Sequence, residues 1–280
     1  MNVATLLAHG AQRLRAAAVA SAALDAELLL AHALAVPRAR LKSHPEMPAD
    51  SRQSGDYLEL IKRRAAGEPL AYLTGWREFW SLALAVSPAV LVPRPETELL
   101  VERALALRAA PEGRVADLGT GAGTLALALA AERPRWQITA TDLSAAALAV
   151  ARANAARLGI TTVEFLEGSW CEPLAGKTFD LLVSNPPYIA AGDPALSSPA
   201  LAHEPRLALT PGPDGLRCLR AIVREAPRHL EAGGWLLLEH GALQGPAVRH
   251  ALVLAGFRYV RSHRDLGGHE RATEGQHGEI

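Results

Sequence analysis

The sequence predicts an α/β protein with a doubly wound parallel sheet, preceded by a small N-terminal helical bundle. Two observations support this prediction. In residues 1–73, leucines recur three and four positions apart, which is the spacing of amphipathic helices. From about residue 113 onward, short apolar runs alternate with alanine- and leucine-rich helical segments. Such alternation places helices on both faces of a parallel sheet.

Composition narrows the class of protein before any motif is considered. The chain has 280 residues and a formal net charge of zero, so no global field attracts it to nucleic acid or to an anionic membrane. Neither a signal peptide nor a membrane-spanning apolar run is recognisable. Cys171 and Cys218 stand alone, which argues against a zinc site or a disulfide framework. We expect a cytoplasmic, monomeric protein without a metal.

The N-terminal part divides into a helical segment and a linker. Pro37, Pro45 and Pro48 break residues 1–73 into about four short helices. Residues 74–94 are aromatic and β-branched and are interrupted at Ser87-Pro88, which is typical of a β-hairpin linker. The third segment, residues 95–280, begins with a helix opened by Pro95.

The third segment contains the strands of the predicted sheet. In chain order they are RVADL, QITATD, VEFLEG, FDLLVS, GWLLLEH and FRYVRS. Helices are expected between them, among them the segment from the N-cap Ser144 to Gly159 and segments near Leu216–Leu230 and Pro246–Leu254. The final stretch EGQHGEI is polar, and we expect it to fray.

Three glycines in DLGTGAG follow the first of these strands. Gly119, Gly121 and Gly123 let a ligand approach the backbone, and the helix after them offers unpaired N–H groups. The spacing G-x-G-x-G differs from the G-x-G-x-x-G of dinucleotide-binding proteins, which disfavours NAD. A tight strand–helix turn without a ligand is the alternative.

An acid and a tryptophan follow the next two strands. Asp142 ends the second strand about twenty residues after the glycine loop, where a carboxylate can bind both hydroxyls of a ribose. The loop and the acid together indicate an adenosine-type ligand. Trp170 follows the third strand and could stack beside an adenine, although a core position is an equal alternative.

The fourth strand stops at the tetrapeptide Asn185-Pro186-Pro187-Tyr188, the NPPY tip. Two consecutive prolines supply no N–H group and fix φ, so regular structure ends there. Ligands bind beyond the carboxyl ends of parallel strands at the switch point, where strands one and four are the usual neighbours. We therefore expect Asn185 to face the glycine loop. A proline-rich turn that only caps a strand is the alternative.

The NPPY tip offers two hydrogen-bond acceptors side by side, the side-chain oxygen of Asn185 and the carbonyl oxygen of Pro186. This pair is complementary to a planar NH2 group, either a carboxamide or the exocyclic amine of adenine. Hydrogen bonds to both hydrogens draw electron density onto the nitrogen and orient its lone pair. Pro187 and Tyr188 supply apolar and aromatic faces that can clamp the flat group.

The glycine loop, Asp142 and the NPPY tip together resemble the class I S-adenosylmethionine-dependent methyltransferases, whose sheet is Rossmann-like. More specifically, GEPLAYLTGWREFWSLALAVSPAVLVPRPETELLVE, VSNPPYI and GGWLLLEHG are similar to the PrmC (HemK) family of peptide chain release factor glutamine methyltransferases. The likeness covers nearly the whole chain. It implies methylation at N5 of the glutamine in the Gly-Gly-Gln motif of class I release factors, which modulates translation termination.

The resemblance also implies roles for individual residues. The cofactor S-adenosyl-L-methionine, whose product is S-adenosyl-L-homocysteine, would be bound by Gly119, Thr120, Gly121, Ala122, Gly123, Asp142, Trp170 and Asn185. The catalytic residues would be Asn185 and Pro186, which hold the glutamine amide. Pro187 and Tyr188 would pack against that amide. Residues 1–73 would dock the release factor, and residues 95–280 would form the catalytic domain.

Two positions and the terminal segment ERATEGQHGEI, which is more polar than the usual last strand, depart from the family pattern, and three other functions stay open. Ser169 stands where the family often has an acid, and His203 stands where an aromatic residue is usual. An adenine-N6 nucleic-acid methyltransferase would need a basic cleft and a way to extract a base. A ribosomal-protein glutamine methyltransferase is the nearer alternative, and a non-enzymatic binding module is the third.

Arg63 and Arg64 belong to the only compact basic run in the sequence. We interpret this run as a solvated helix face or as a docking patch.

Overall fold

The computed structural model describes residues 1–278, which form two compact units. One unit comprises Met1–Trp76 together with the short segment Ser197–His203, and the other comprises the remaining described residues. Within residues 1–278, no helix has both the length and the apolar character that crossing a membrane requires.

The first unit is a bundle of short helices, as the leucine spacing predicts. Five N-terminal helices are observed instead of about four: α1 (Val3–Ala16), α2 (Ala22–Leu34), α3 (Arg38–Ser43), α4 (Ser51–Ala65) and α5 (Leu70–Thr74). Pro37 and Pro69 are the residues just before α3 and α5, so these prolines begin helices as well as separating them. Buried apolar side chains from α1 and α2, leucines and alanines above all, form most of the core of this unit.

The two arginines of the basic run are paired inside the first unit. Arg64 Nε lies 2.7 Å from Oδ2 of Asp25, a carboxylate whose side chain is only 4% exposed, and Arg63 Nε donates to Glu68 Oε2 at 2.8 Å. Arg64 is therefore not part of a solvated face, because it compensates a buried charge between α2 and α4. Neither guanidinium is left free for a docking patch.

A hairpin and an irregular segment lead into the sheet of the second unit. The hairpin consists of β1 (Trp76–Phe79) and β2 (Leu82–Ala85). Pro95–Thr97 forms a 3-10 turn, and helix α6 (Glu98–Leu107) follows directly. The helix start predicted at Pro95 is thus observed as one 3-10 turn that continues into an α-helix.

A seven-stranded mixed sheet forms the centre of the second unit. Its strands are β3 (Gly113–Leu118), β4 (Trp136–Asp142), β5 (Val163–Glu167), β6 (Phe179–Ser184), β7 (Leu230–Glu239), β8 (Phe257–Arg264) and β9 (Glu270–His277). Their order in the sheet is β5-β4-β3-β6-β7-β9-β8, and all neighbouring pairs from β5 to β7 are parallel. β9 runs antiparallel to both β7 and β8. The expected adjacency of strands one and four is confirmed by the β3–β6 pair.

Helices cover both faces of this sheet, which confirms the doubly wound fold. The helices of the second unit after α6 are α7 (Thr124–Glu132), α8 (Ala145–Leu158), the short α10 (Arg206–Leu209), α11 (Arg217–Glu225) and α12 (Gly245–Leu254), whereas the short α9 (Pro199–Ala202) belongs to the first unit. Val115 and Leu181 pack with α6 and α7 in one apolar cluster, whereas their strand neighbours Ala116 and Leu182 pack with α11 and α12 in another. The helix coverage therefore changes face between β3 and β6, leaving a switch point there.

The C-terminal stretch is not frayed, contrary to the expectation from its polarity. Residues 270–277 form β9, and the two last residues of EGQHGEI lie outside the described residues. Glu274 is fully buried, and its carboxylate lies 3.2 Å from Arg103 Nε, 2.5 Å from Arg261 Nε and 2.9 Å from His263 Nε2. Burial alone would raise its pKa, but the hydrogen bonds from His263, Arg261 and Arg103 hold the pKa down at about 2.

We predict that Glu274→Gln destabilises the second unit by about 3 kcal/mol at pH 7, because the guanidinium groups of Arg103 and Arg261 lose their buried counter-charge. The pKa of Glu274 is lower in the folded chain than its usual value. Its stabilisation is therefore complete at neutral pH and is lost as the pH falls toward about 2. Denaturant unfolding should show a difference between wild type and variant that shrinks in acid. The exposed Glu112→Gln is the control, and an equal effect of both changes at pH 7 would contradict the prediction.

Candidate active site

A cavity of about 520 Å3 lies at the carboxyl ends of β3, β4, β5 and β6, at the switch point. Its volume is within the range of about 300–1,000 Å3 that is usual for small-molecule sites. The cavity is lined by the glycine loop and by the residues just after β4, β5 and β6. Helix α11 and the segments 89–97 and 205–211 complete the lining.

The glycine loop is held in a conformation that favours glycine. Gly119, Gly121 and Gly123 have φ values of 77°, 57° and 83°, all in the left-handed region. The N–H groups of Gly119 and Thr120 both donate to the carbonyl oxygen of Thr141, at 2.8 and 2.9 Å. Because Thr141 is in β4, these bonds tie the loop to the neighbouring strand.

Asn154 on α8 supports the loop from behind, and the sequence analysis did not identify it. The side chain is fully buried; Oδ1 accepts from the N–H of Ala85 at 2.7 Å, and Nδ2 donates to the carbonyls of Ala85 and Ala122 at 3.0 Å each. The β1–β2 hairpin and the glycine loop are thereby joined through one amide. The only sequence signal was an asparagine inside an otherwise alanine-rich helix.

Asp142 is oriented by backbone donors on both of its oxygens. Oδ2 accepts from the N–H of Gly121 at 2.9 Å, and Oδ1 accepts from the N–H of Ser144 at 2.8 Å. Ser144 also caps α8, as predicted, by accepting from Ala147 N. Asp142 lines the cavity, and each of its carboxylate oxygens can accept a further hydrogen bond.

Asp117 is a further acid at the cavity that the sequence analysis took only as the end of a strand. It is almost fully buried; its Oδ2 accepts from Thr120 Oγ1 at 2.6 Å and from Ala126 N at 3.1 Å. Its Oδ1 is buried without a partner among the described residues. Burial raises the pKa of Asp117 to about 7, against the lowering effect of those two hydrogen bonds.

A buried acceptor without a hydrogen bond destabilises the folded protein by about 1–3 kcal/mol, and a donor on a bound ligand can offset this cost. Since Asp117 lines the cavity, its Oδ1 suits an N–H or ammonium group of a bound molecule. The methionine end of S-adenosylmethionine carries such an ammonium group. The residues present therefore fit this cofactor at both ends, since Asp142 could accept from ribose hydroxyls and Asp117 from the amino group.

Trp170 has both a core contact and a place at the cavity, while its stacking beside an adenine stays a prediction. Its ring packs against the apolar cluster that contains α11 and α12, and it also lines the cavity. A Cβ atom on Gly119 would lie only 3.0 Å from the ring atom Cζ3. The backbone of Trp170 has a left-handed φ of 48°, and its carbonyl accepts from Thr141 Oγ1 at 2.9 Å.

Asn185 lies at the end of β6 and lines the same cavity as the glycine loop, as expected. Its Nδ2 donates to Oγ1 of Thr97 at 3.0 Å, and Thr97 is buried. Ser184, the last residue of β6, donates to the carbonyl of Leu118 at 2.6 Å and so ties the ends of β6 and β3 together. The side-chain oxygen of Asn185 is left for the cavity.

The other three residues of the NPPY tip are placed differently. Pro187 lines the cavity, whereas Pro186 and Tyr188 are not among the residues that line it. The hydroxyl of Tyr188 donates to Oε1 of Glu239 at 3.1 Å, and its carbonyl accepts from Gln244 Nε2 at 2.9 Å. Substrate contacts by Pro186 and Tyr188 stay predictions.

One buried carboxylate joins two wall segments of the cavity. Glu204 is 4% exposed; it accepts from the N–H of Val92 at 3.1 Å and is hydrogen-bonded to Arg94. This contact explains the glutamate in AHEPRLAL, which the sequence analysis did not assign. Of the two departures from the family pattern, Ser169 lines the cavity, and His203 is exposed and belongs to the helical unit.

Two cysteines and a buried histidine are further reactive side chains of the described residues. Cys171 and Cys218 are free thiols, and burial raises the pKa of Cys171 to about 12. His240 is buried, with Nε2 at 2.7 Å from Thr273 Oγ1 and Nδ1 at 2.9 Å from Gly241 O. Across residues 1–278, no cluster of three or more His, Cys, Asp or Glu side chains could hold a metal ion.

The fold and the cavity together define a class I methyltransferase. Residues 95–204 match the family model described as the methyltransferase small domain. A solved methyltransferase from Pyrococcus furiosus shares the fold with a TM-score of 0.56 at 17% identity, over 82% of this chain and 100% of that one. The residues that match the family model include the glycine loop and the strands β3 to β6.

Within this class the family is also defined. Residues 5–75 match the model of the PrmC N-terminal domain. A release factor glutamine methyltransferase from Xylella fastidiosa (strain Temecula1) is 52% identical over 254 residues, covering 90% of this chain and 92% of that protein. The protein of that name from Vibrio cholerae is 46% identical over 99% of this chain and 97% of its own length. The chain belongs to the release factor glutamine methyltransferase family, which confirms the resemblance.

We predict that Gly119→Ala weakens binding of S-adenosylmethionine by about tenfold, equivalent to about 1.4 kcal/mol. The added Cβ would push on the Trp170 ring at 3.0 Å and would require a left-handed alanine. Titration calorimetry with the cofactor measures the change.

Gly176→Ala is the matched control for Gly119→Ala. Gly176 has a similar φ of 74°, but a Cβ there meets nothing within 4 Å. It should cost only the strain of the left-handed alanine, about 1 kcal/mol of stability, and leave cofactor affinity unchanged. Equal cofactor affinities in the two variants would show that Trp170 and Gly119 do not shape the site.

Proposed function

We propose that this chain transfers a methyl group from S-adenosyl-L-methionine to the N5 side-chain amide of the glutamine in the Gly-Gly-Gln motif of class I peptide chain release factors. The observation that carries the proposal is one cavity in which Asn185 faces the glycine loop and Asp142. Membership of the release factor glutamine methyltransferase family supports the same substrate. The transfer would modulate translation termination and leave S-adenosyl-L-homocysteine as the second product.

The cofactor half of the cavity would be formed by residues 119–123, Asp142 and Trp170. Asp142 would accept hydrogen bonds from the ribose hydroxyls, and its two backbone contacts fix the direction of its oxygens. Oδ1 of Asp117 would accept from the amino group. When bound, the cofactor supplies an electrophilic methyl group on a positively charged sulfur. Trp170 would close the adenine side of the cavity and exclude water.

The substrate half would be formed by the NPPY tip. The oxygens of Asn185 and Pro186 would each accept one N–H of the glutamine amide, which turns the nitrogen lone pair toward the methyl group. The nitrogen would form its bond to the methyl group as the S–CH3 bond breaks with its electron pair left on sulfur, and the amide nitrogen would release one proton to solvent. Charge that develops on the N–H groups would be stabilised by these two acceptors. Pro187 and Tyr188 would hold the plane of the amide.

The alternatives have less support. An adenine-N6 nucleic-acid methyltransferase could use the same acceptor pair, but a net charge of zero supplies no field toward phosphates. A ribosomal-protein glutamine methyltransferase shares the acceptor chemistry and differs only in the partner. We further propose that the helical unit docks the release factor and that the enzyme acts in the cytoplasm as a monomer.

We predict that the purified full chain transfers labelled methyl from S-adenosylmethionine to a recombinant class I release factor. Replacing the glutamine of the Gly-Gly-Gln motif in the release factor by alanine should abolish the label, because the methyl acceptor is then absent. Scintillation counting and peptide mass spectrometry measure and locate the methyl group. Label on ribosomal protein or on DNA, with none on release factor, would refute the proposed substrate.

We predict that Asn185→Ala lowers kcat by about 10²–10³-fold, as expected for removing one preorganised hydrogen-bonding group from a transition state. The dissociation constant for S-adenosylmethionine should change little, since Asp117, Asp142 and Trp170 remain in place. Steady-state kinetics and calorimetry separate the two quantities. Normal turnover in the variant would mean that the NPPY tip does not hold the amide.

A further inference from the structure

Gln244, the residue just before α12, makes three hydrogen bonds to backbone groups and has no part in the proposed reaction so far. Its Oε1 accepts from the N–H of Gly241 at 2.8 Å. Its Nε2 donates to the carbonyl of Tyr188 at 2.9 Å and to that of Gly215 at 3.3 Å. A backbone N–H only donates and a backbone carbonyl only accepts, so these partners fix which way the amide points. One side chain thus ties the NPPY tip to two other loops.

The peptide group between Tyr188 and Ile189 is hydrogen-bonded on both sides. The carbonyl of Tyr188 accepts from Gln244, and the N–H of Ile189 donates to the carbonyl of Leu209 at 3.0 Å. The ring hydroxyl of Tyr188 in turn donates to Oε1 of Glu239 at 3.1 Å. The last residue of the NPPY tip is therefore held both at its backbone and at the end of its side chain.

The NPPY tip transmits this restraint along the chain because few of its backbone torsions are free. The rings of Pro186 and Pro187 fix φ at both residues. Asn185 and Pro186 each precede a proline, which restricts their ψ to extended values. The amino end of the tip is anchored as well, since the hydroxyl of Ser184 ties β6 to β3. With both ends of a stiff segment held, the directions of its carbonyl groups are set.

Gly215 allows the loop before α11 to approach the tip this closely. It is buried and has a left-handed φ of 69°. A Cβ atom at this position would overlap the carbonyl oxygen of Tyr188 and would lie 2.7 Å from Nε2 of Gln244. The contact between Gln244 and the tip therefore depends on a glycine that comes from a third loop.

We propose that Gln244 is a positioning residue that holds the carboxyl end of the NPPY tip, so that the oxygens of Pro186 and Asn185 stay directed at the methyl-accepting amide. This inference rests on the proposed function for the reaction that the tip serves. The hydrogen bonds that hold Tyr188 are a property of the chain without substrate.

The first test observes the Tyr188 carbonyl directly, in the full chain without substrate. Tyr188 is the only one of the four tyrosines that is followed by isoleucine, so labelling with 1-13C-tyrosine and 15N-isoleucine gives a single coupled NMR signal. Gln244→Met has a side chain of similar length without the amide, and it should move the carbonyl signal upfield because the donor is lost. Gln244→Glu should move it too once its carboxyl group is ionised at alkaline pH, because a carboxylate still accepts from Gly241 but cannot donate.

Gln276→Met is the matched control for these variants. Gln276 makes the same kind of bond, from its Nε2 to the carbonyl of Gly233 at 2.8 Å, but near the amino end of β7 and away from the cavity. Its loss should lower stability and leave the Tyr188 signal where it is in the wild type.

The second test measures turnover at the same alkaline pH. Gln244→Met and Gln244→Glu should each lower kcat by about tenfold to a hundredfold, the scale expected for a misplaced catalytic group. The dissociation constant for S-adenosylmethionine should stay unchanged, because Gln244 does not line the cavity. Expressing kcat per cofactor-binding site, counted by calorimetry, keeps a loss of folded protein from counting as a loss of turnover. Gln276→Met should keep the wild-type kcat on this scale.

The third test uses the glycine that faces Gln244. Gly215→Ala should displace Tyr188, shift its carbonyl signal and lower kcat, because the added Cβ would occupy the position of the Tyr188 oxygen. Gly159→Ala is the matched control, since Gly159 has a φ of 68° and a Cβ there meets nothing within 4 Å. This control carries the same strain of a left-handed alanine and should turn over normally.

The outcomes separate this inference from the proposed function. An inactive wild type would refute the proposed function, while the Tyr188 signal would still decide whether Gln244 holds the tip. An unchanged Tyr188 signal in both Gln244 variants would overturn the inference, even with a fully active enzyme, and so would a wild-type kcat in variants whose signal has moved. If Gln244→Met does not fold, Gln244→Glu and the pair Gly215→Ala and Gly159→Ala decide the same point, since equal kcat values in that pair would overturn it.

Discussion

Parallel pairing between β3 and β6 is the constraint on which the rest of the second unit depends. The helix after β3 packs on one face of the sheet, and α11, the long helix that follows β6 in the chain, packs on the other, so no helix covers the carboxyl ends of these two strands. The hydrogen bond from Ser184 to the carbonyl of Leu118 fixes those ends relative to each other. The glycine loop and the NPPY tip consequently open into one cavity, and their separation is set by the spacing of neighbouring strands.

Buried polar side chains hold the irregular segments around the cavity in place. Asn154 joins the hairpin to the glycine loop, Asp142 fixes the end of β4, and Glu204 joins two wall segments. Each satisfies backbone N–H groups that loops would otherwise bury unpaired. Asp117 and Glu239 differ from them, since each keeps one oxygen without a partner among the described residues. These two acids border the proposed cofactor and substrate halves, where an unmet acceptor can serve binding or orientation.

The stiffness of the NPPY tip comes from two sources. Its prolines end β6 and fix the course of the backbone, which local sequence is sufficient to dictate. The orientation of the Asn185 side chain depends instead on Thr97, which lies 88 residues earlier in the chain. Tyr188 shows the same division, because its hydroxyl is bound to Glu239 and its ring packs with the cluster of α11 and α12. Local rigidity and long-range hydrogen bonding thus act on different atoms of the same four residues.

The sequence by itself determined the features that depend on neighbouring residues: the leucine periodicity of the helical unit, the alternation that makes a doubly wound sheet, the glycine loop, and the positions of Asp142 and Asn185 at strand ends. Tertiary structure alone decided the features that depend on distant partners. Glu274 made the C-terminal stretch look too polar for a strand. It is nevertheless buried, because the side chains of Arg103, Arg261 and His263 lie next to its carboxylate. In the sequence, Asp117 and Glu239 look like ordinary strand ends. A linear sequence does not show which polar atoms are left without a hydrogen bond when the chain folds.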